Sequence, residues 1–440
     1  MTTQREARGD DDHHDDDGSR APLHNGLIVA VRAIVRSLPV NFLAAASGLA
    51  GTIIISWVFG PVTFANYMIN IAKMAVVLLG LEVLPTFFSV YRLQHDREFA
   101  AALPLFYLAF AAVAAGITAF LIVFGYLQDP SWSMLVYAAL SVSQRYFDNT
   151  LQAEGKVAAF LWLPAISNSV RLLMLGLLAG LARQLGSGDI LWLSLSVGLG
   201  VSQVYALARF PGALTAFGSS WRWSSVAYLW RLRNNYYPYY VNSVLRRVKE
   251  AALPLFVDAF MADKAAAGRF FLYFKAIEFS SAQVRTIEVF MVNSGLRATL
   301  QRQRVPLLAG AAALGQAATV VLSLMLLYRQ GLSWQTVGTA GAISLFLIPY
   351  VIELYMRSNA YAALEPGKVS VSMVANLVAT LVLLGLFRAT SQLGVGALVA
   401  TVVIGQGVSA ATYFVRRTKP RTDRERLERE LIIESRPSDA

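Results

Sequence analysis

Twelve apolar stretches follow one another along the chain, separated by short polar connections. Each is close to the length of about 20 residues that a helix needs to cross a bilayer. Of the 440 residues, 56% are hydrophobic and 15% are charged, against about 25% charged in ordinary soluble domains. The sequence therefore predicts an all-α integral membrane protein. The predicted spans are 40–59, 64–90, 101–124, 132–151, 157–181, 190–207, 239–260, 265–291, 307–328, 334–356, 369–387 and 395–414.

The longest polar connection, 209–235, divides these spans into six and six. It mixes tryptophans with arginines, a composition typical of amphipathic segments at a membrane interface. We expect two six-helix lobes with this segment as a cytoplasmic linker between them. The predicted domains are 1–38 (disordered acidic tail and interfacial helix), 39–208 (N-terminal lobe), 209–235 (linker), 236–415 (C-terminal lobe) and 416–440 (charged cytoplasmic tail).

A weak internal repeat supports two related lobes. The segment 64–88 resembles 267–291 in the placement of its aromatic residues, with Tyr67 matching Phe270 at one constant offset. Parallel repeats of this kind are common in transporters.

Basic residues indicate the topology, because lysine and arginine concentrate in alternate connections. By the positive-inside rule both termini are cytoplasmic, in a multi-pass protein of the cytoplasmic (inner) membrane. The net charge of +11 is spread through short loops, so nucleic acid is not an expected partner. The chain has no cysteine, and its 4 histidines lie outside the predicted spans. Thiolate chemistry, disulfides and a histidine relay within the membrane are therefore excluded, and no metal or cofactor is expected.

Four charges stand in five residues of the seventh span, at Arg246, Arg247, Lys249 and Glu250. The apolar part that follows, 251–260, is too short to cross a bilayer alone, so the charges must lie inside the span. Each charge at mid-bilayer costs roughly 2.5 to 3.5 kcal/mol. On a helix they share one half of the surface. We therefore predict that they face a wet cavity and take part in function.

Further charges stand at mid-span positions, and the cations outnumber the acids when the seventh span is included. They are Lys73, Arg145, Arg171, Lys275 and Arg285, against Glu82, Asp148, Asp258, Glu278 and Glu288. In three cases a cation and an acid stand three residues apart on one helix. For each of these pairs, an ion pair within the helix and a functional site are equally supported. These pairs are Arg145 with Asp148, Lys275 with Glu278, and Arg285 with Glu288. Lys73 and Glu82 are nine apart, a spacing at which they do not easily pair.

Two other patterns favour structural roles. Glu353 stands four residues before Arg357 near the end of the tenth span, which favours an interfacial ion pair. Gly48 and Gly51 in the first span favour close packing between helices.

The stretch from Trp57 to Tyr67, WVFGPVTFANY, follows a first span rich in small residues. It resembles the turn between the first two helices of polysaccharide flippases in the multidrug/oligosaccharidyl-lipid/polysaccharide exporter superfamily, although Ala65 replaces the usual glycine. The segment 148–160, with Gly155 and Lys156, is similar to the cytoplasmic turn after the fourth helix of these proteins, and Arg171 follows in the fifth span. The resemblance covers about residues 37–414.

This resemblance implies a twelve-helix transporter, not an enzyme, that moves a polyprenyl-diphosphate-linked oligosaccharide to the outer leaflet by alternating access. Its partners would be that glycan lipid, membrane lipids, and the glycosyltransferases and polymerase of a polysaccharide pathway. Arginine forks suit diphosphate oxygens. The candidate substrate-binding residues are Arg246, Arg247, Lys249, Arg145, Lys73, Arg171, Lys275 and Arg285. The candidate ion-coupling carboxylates are Glu82, Asp148 and Glu250.

Two other functions remain open at this point. A multidrug exporter of the same superfamily would usually carry cationic amphipathic substrates, which a net positive cavity repels. An integral-membrane glycosyltransferase or polymerase is expected to have a large outer loop or a carboxylate pair near one. The predicted outer loops are short, and their acidic residues Asp129, Asp189 and Asp263 are isolated.

Overall fold

The computed structural model of the chain describes residues 39–40, 42–78, 86–180, 186–212, 227–228, 233–284, 304–362 and 366–415. Within these ranges the regular structure is helical and contains no strand. The helices are α1 (42–54, extended by a π-helical turn Ile55–Phe59), α2 (Gly60–Val77), α3 (Thr86–His95), α4 (Arg97–Val123), α5 (Ser133–Ala153), α6 (Val157–Ala179), α7 (Ser187–Arg209), α8 (Arg233–Phe260), α9 (Lys264–Val284), α10 (Arg304–Leu327), α11 (Trp334–Ser344), α12 (Leu347–Ala362), α13 (Pro366–Ala389) and α14 (Val395–Val415).

Each of the twelve predicted spans coincides with a helix of the described ranges, and the tenth span is divided. The second predicted span, 64–90, is occupied by α2 and α3, with 79–85 outside the described residues. The tenth, 334–356, is interrupted at Leu345 and Phe346, where the backbone turns between α11 and α12. Apolar sequence alone did not predict the division of the tenth span, because both of its halves are hydrophobic.

The helices differ in how well they suit a bilayer. Among the described residues, eight helical stretches are long and apolar enough to cross a membrane, and the first of them, Phe42–Val77, contains both α1 and α2. The helices α5, α8 and α9 are not among the eight. These three carry most of the mid-span charges, so their polar residues need surroundings other than lipid.

A glycine makes the turn between α1 and α2. Gly60 has φ 85° and ψ 171°, a conformation that residues with a Cβ rarely adopt. Pro61 follows in the first turn of α2, where its missing N–H leaves no hydrogen bond unmade. The predicted tight turn at these residues is confirmed. We call this side of the bundle the Gly60 end; it also carries the connections 124–132, 261–263 and 328–333.

The two halves of the chain repeat one pattern of helix neighbours. In the first half α4 packs on α5, α5 on α7, and α6 on α7; in the second half α10 packs on α11, α12 on α14, and α13 on α14. The helix that opens each half also has the same neighbour. A hydrogen bond of 3.0 Å joins Ser47 of α1 to Ser169 of α6, and α8 packs on α13. The fold is thus an all-α membrane bundle of two related six-helix lobes.

The lobes meet along α2, which packs against both α8 and α9. Gly268 of α9 lies directly against the carbonyl oxygen of Pro61, where any added Cβ would overlap backbone atoms. Gly48 of α1 allows a similar approach, since a Cβ there would be 3.3 Å from the Phe279 ring and from the Asn168 amide nitrogen. Small residues therefore allow close packing between the lobes, with backbone against backbone at Gly268 and backbone against the Phe279 side chain at Gly48. The close packing agrees with the prediction for Gly48.

The linker contacts the N-terminal lobe at Tyr228. Asp96 caps α4 by accepting a hydrogen bond of 3.0 Å from the Phe99 N–H, and the Tyr228 hydroxyl donates to the same carboxylate. Burial and the Asp96 carboxylate raise the pKa of Tyr228, so the phenol keeps the proton that it donates. The rest of the linker, 213–226 and 229–232, lies outside the described residues, and its amphipathic character stays a prediction.

Candidate functional site

The charged side chains of α8 point in two different directions. Arg246 and Glu250 are exposed, and Arg247 Nη1 lies 3.2 Å from Glu250 Oε2. Lys249 instead turns toward the interior of the C-terminal lobe, with Nζ 3.1 Å from Gln406 Oε1 and 3.9 Å from Glu353 Oε2. The sequence grouped these four residues on one half of a helix, but the facing helices give Lys249 a separate environment.

Lys249 belongs to what we call the C-lobe network, formed by Lys249, Glu353, Arg357, Asn376 and Gln406. Its centre is Glu353, which is only 2% exposed. Gln406 Nε2 donates to this carboxylate, and Arg357 Nη1 lies 3.8 Å from its other oxygen. Asn376 Nδ2 donates to Gln406 Oε1 over 3.3 Å. These contacts join four helices, α8, α12, α13 and α14, and they place both cations beside the buried acid.

Sequence analysis predicted only the Glu353–Arg357 pair of this network, and it is present. The carboxylate is buried among four helices, and its predicted position near the membrane interface stays a prediction. The amides of Asn376 and Gln406 within otherwise apolar spans were the signal that could have revealed the network.

A second group lies where the lobes face one another. We call it the interlobe cluster and define it as Tyr67, Tyr137, Arg171, Arg247 and Lys275. Tyr137 of α5 lies close enough to Tyr67, Arg171 and Arg247 for a charge on one to be felt by the others. Lys275 of α9 interacts electrostatically with Tyr67 and Arg171. The cluster therefore combines three cations from α6, α8 and α9 with two phenols from α2 and α5.

Aromatic packing holds Arg171 in place. Its Nη2 donates to the Tyr67 hydroxyl over 2.8 Å, and its Cζ lies 5.5 Å from the centre of the Tyr67 ring. Trp192 packs against the ring of Tyr67 at 5.8 Å and against the ring of Tyr137 at 5.1 Å. Gly198 of α7 permits this arrangement, since a Cβ there would be 2.5 Å from the Ser167 carbonyl oxygen and 3.4 Å from Arg171 Cβ.

The cations of the interlobe cluster have weak acidic partners. Lys275 pairs with Glu278, as its spacing allowed, but the Glu278 side chain is 44% exposed. The Glu250 side chain beside Arg247 is 48% exposed. In the described part of the chain, no carboxylate lies within ion-pair distance of Arg171, and the buried Nε of Arg171 has no hydrogen-bond acceptor. A buried guanidinium N–H without an acceptor is rare and costly, so the cluster is suited to receive an anion.

The remaining predicted residues lie elsewhere or outside the described ranges. Asp148 accepts a hydrogen bond of 3.0 Å from Gln144 on its own helix and interacts with Arg145, as its spacing allowed. Lys73 pairs with Asp258 at 2.8 Å. The residues Glu82, Arg285 and Glu288 lie outside the described residues.

Comparison with solved structures identifies the fold. Over 91% of this chain and 96% of the other, it matches the inward-facing conformation of a multidrug resistance MATE family transporter of the MOP superfamily, with a TM-score of 0.60 and 14% identity. A MATE protein in complex with MaL6 gives a TM-score of 0.58 at 16% identity, covering 88% of this chain and 95% of that one.

A MOP superfamily transporter from Pyrococcus furiosus Vc1, described as having a binding pocket of reverse polarity that suggests a different function, also gives a TM-score of 0.58, with 15% identity over 88% of this chain and 94% of that one. No protein-family model matches the sequence. The search of curated proteins likewise gives no significant match. The chain therefore has the fold of MOP superfamily transporters.

Proposed function

We propose that the protein is a transporter that moves a polyprenyl-diphosphate-linked oligosaccharide across the cytoplasmic membrane. The observation that carries this proposal is Arg171, a membrane-embedded guanidinium with a buried N–H that lacks an acceptor. A diphosphate supplies several strong acceptor oxygens and negative charge together, and arginine binds such groups in a fixed geometry.

The electrostatics of the interlobe cluster favour an anionic headgroup over a cationic drug. Arg171, Arg247 and Lys275 lie on three helices from both lobes, and the two nearby acids are half-exposed. A lipophilic cation would have to approach these charges without a buried carboxylate to neutralise it, which is unfavourable in a medium of low dielectric constant. A diphosphate would offset the same charges.

Preorganisation supports Arg171 as the principal contact. Tyr67 fixes one face and one N–H of the guanidinium, so little side-chain entropy remains to be lost when a ligand binds. Arg247 and Lys275 come from the opposite lobe and would bind the same headgroup from the other side. A ligand held between the lobes would then respond to their relative movement, as in alternating access.

The fold accommodates binding pockets of more than one polarity. Among the similar structures are multidrug transporters and the P. furiosus protein described as having reverse pocket polarity. A multidrug exporter is therefore the alternative for this chain, and the identity of the cargo has to be tested directly. Arg246, Arg145 and Arg285 stay candidate contacts of the headgroup. Cytoplasmic termini and a place beside glycosyltransferases and a polymerase remain part of the proposal.

The test is transport in liposomes by the purified full-length protein. We expect transfer of a fluorescent polyprenyl-diphosphate sugar between leaflets without nucleotide, and no accumulation of the cationic dye ethidium. Arg171→Ala should reduce the transfer rate about ten- to a hundredfold, as expected for the loss of charge-assisted hydrogen bonds worth about 1.5 to 3 kcal/mol.

Arg209 provides the matched control, because it also lies over a tyrosine ring, with Cζ 5.3 Å from the Tyr205 ring centre, but at the end of α7. Arg209→Ala should transport like the wild type. Transport of ethidium in place of the lipid, or equal rates for Arg171→Ala and the wild type, would contradict the proposal.

A further inference from the structure

Asp258, near the end of α8, accepts bonds from both lobes. Lys73 Nζ of α2 lies 2.8 Å from Oδ2, and Gln128 Nε2 lies 2.5 Å from Oδ1. From its own lobe, Lys264 Nζ lies 2.9 Å from Oδ1. Two groups of the N-terminal lobe and one of the C-terminal lobe thus share a single carboxylate.

The N-terminal partners of Asp258 are themselves held in position. Lys73 Nζ donates a second hydrogen bond, of 2.8 Å, to the Tyr126 carbonyl oxygen. The Gln128 backbone N–H donates to Asn70 Oδ1 over 3.0 Å, one turn before Lys73 on the same helix. The connection 124–132 is therefore held against α2, so that the Lys73 cation of α2 and the Gln128 amide of the connection face the other lobe together.

Other contacts between the lobes gather at the same end. Trp57 Nε1 donates to the Leu326 carbonyl oxygen over 3.3 Å, and Arg329 Nη1 donates to the Trp57 carbonyl oxygen over 3.2 Å. Gln330 Nε2 lies 3.4 Å from Ser56 Oγ. These bonds are longer than those to Asp258, and only Asp258 brings opposite charges together across the lobes in this group.

We propose that Asp258, with Lys73 and Gln128, is the releasable closure that holds the lobes together at the Gly60 end. Charge-assisted hydrogen bonds are about twice as strong as neutral ones. The Lys73–Asp258 bond joins two opposite charges over 2.8 Å, whereas Arg329 donates to an uncharged carbonyl oxygen over 3.2 Å. The group around Asp258 therefore contributes more than its neighbours to the closed state. The side chains of Lys73 and Asp258 are 21% and 18% exposed. Because both side chains are partly in contact with water, the free energy needed to separate them is moderate. A contact that opens in every transport cycle requires such a moderate free energy.

The proposal concerns the movement of the lobes and does not depend on the cargo. The topology prediction places the Gly60 end on the outer side of the membrane. Breaking the Lys73–Asp258 pair should therefore favour the outward-open arrangement of the transporter. The equilibrium between the closed and the open state shifts by the free energy with which the lost contacts had stabilised the closed state.

Lys264 gives a matched control, because both lysines contact the same carboxylate at nearly the same distance but only Lys73 crosses between the lobes. We expect Lys73→Gln to increase the ratio of open to closed molecules at the Gly60 end about tenfold, which corresponds to 1.4 kcal/mol. In Lys264→Gln, Asp258 keeps its contacts with Lys73 and Gln128, so this variant should not increase the ratio.

The distance between the lobes can be measured by pulsed electron spin resonance, since the chain contains no cysteine that would react with a second label. Spin labels at Phe124→Cys and Leu332→Cys occupy exposed positions of the two lobes at this end, 61% and 49% exposed respectively. A pair at Phe124→Cys and Leu177→Cys, both in the N-terminal lobe, checks that each variant keeps its fold. No substrate is added.

Longer distances between the lobes in Lys73→Gln, with Lys264→Gln unchanged, are the expected result. Gln128→Leu removes an interlobe contact without removing a charge, and it should shift the distances in the same direction by a smaller amount. If Lys73→Gln loses its fold, Gln128→Leu still decides the question. Unchanged distances in the variants that keep their fold, or an equal shift in Lys264→Gln, would overturn the proposal.

Discussion

The interlobe cluster and the C-lobe network both contain cations inside a membrane bundle, but they differ in the position of their acids. In the network, Lys249 and Arg357 surround Glu353, whose side chain is 3% exposed. In the cluster, the acids nearest to Arg247 and Lys275 are 48% and 44% exposed. A buried counter-charge makes a cation structural, whereas a cation with a solvated partner remains able to bind another anion. We therefore expect Arg247 and Lys249, which are neighbours on α8, to serve different purposes.

The largest effect is expected at Glu353. Glu353→Ala leaves Lys249 and Arg357 without their buried counter-charge, and breaking such a pair typically costs about 3 to 5 kcal/mol. We expect a strong loss of folded protein and a lower unfolding temperature in detergent. Glu278→Ala removes a half-exposed acid from the cluster and should cost less than about 1 kcal/mol. Equal losses of stability would remove the distinction between the two regions.

Packing beside Arg171 should have an intermediate effect. Gly198→Ala would place a Cβ 2.5 Å from the Ser167 carbonyl oxygen, and such overpacking costs about 1 to 3 kcal/mol. Because the added Cβ would also lie 3.4 Å from Arg171 Cβ, we expect weaker binding of a diphosphate as well. In Gly200→Ala the nearest atom would be 3.9 Å away, so this variant should match the wild type in thermal unfolding and diphosphate binding. A normal Gly198→Ala would contradict the packing account.

The smallest effects on stability separate Arg247 from Lys249, two residues apart on α8. Lys249→Gln weakens the network but leaves Glu353 in contact with Arg357 and Gln406, so we expect a loss of about 1 kcal/mol in unfolding and nearly normal transport. Arg247→Gln removes a cation from the cluster, and it should slow transport with little change in unfolding. The reverse assignment of the two phenotypes would show that Lys249 is the substrate contact.

Local sequence features predicted the fold well. The lengths of the apolar stretches located the helices, and the need for a positive φ explains why Gly60 makes the turn before Pro61. The division within the tenth span was missed because hydrophobicity does not distinguish a continuous helix from two shorter ones. The equivalent packing of the two halves agrees with the weak repeat that matched Tyr67 to Phe270.

The candidate site was predicted only in part. The sequence identifies Arg171, Arg247 and Lys275 as mid-span cations, but the direction of a side chain depends on which helices face it. Lys249 was grouped with Arg247 because the sequence shows which face of their own helix the two residues share, but not which helices pack against that face. The partner of Lys73 was missed for the same reason, since Asp258 lies 185 residues further along the chain and meets it only through contact between the lobes.

The most direct test of the central claim is the affinity of the purified protein for farnesyl diphosphate, with farnesol as the uncharged control. We expect binding of the diphosphate and much weaker binding of the alcohol. Arg171→Ala should weaken the binding of the diphosphate about ten- to a hundredfold, and Arg209→Ala should leave it unchanged. Equal affinity of the wild type and Arg171→Ala for farnesyl diphosphate would show that the interlobe cluster is not an anion site and would contradict the account.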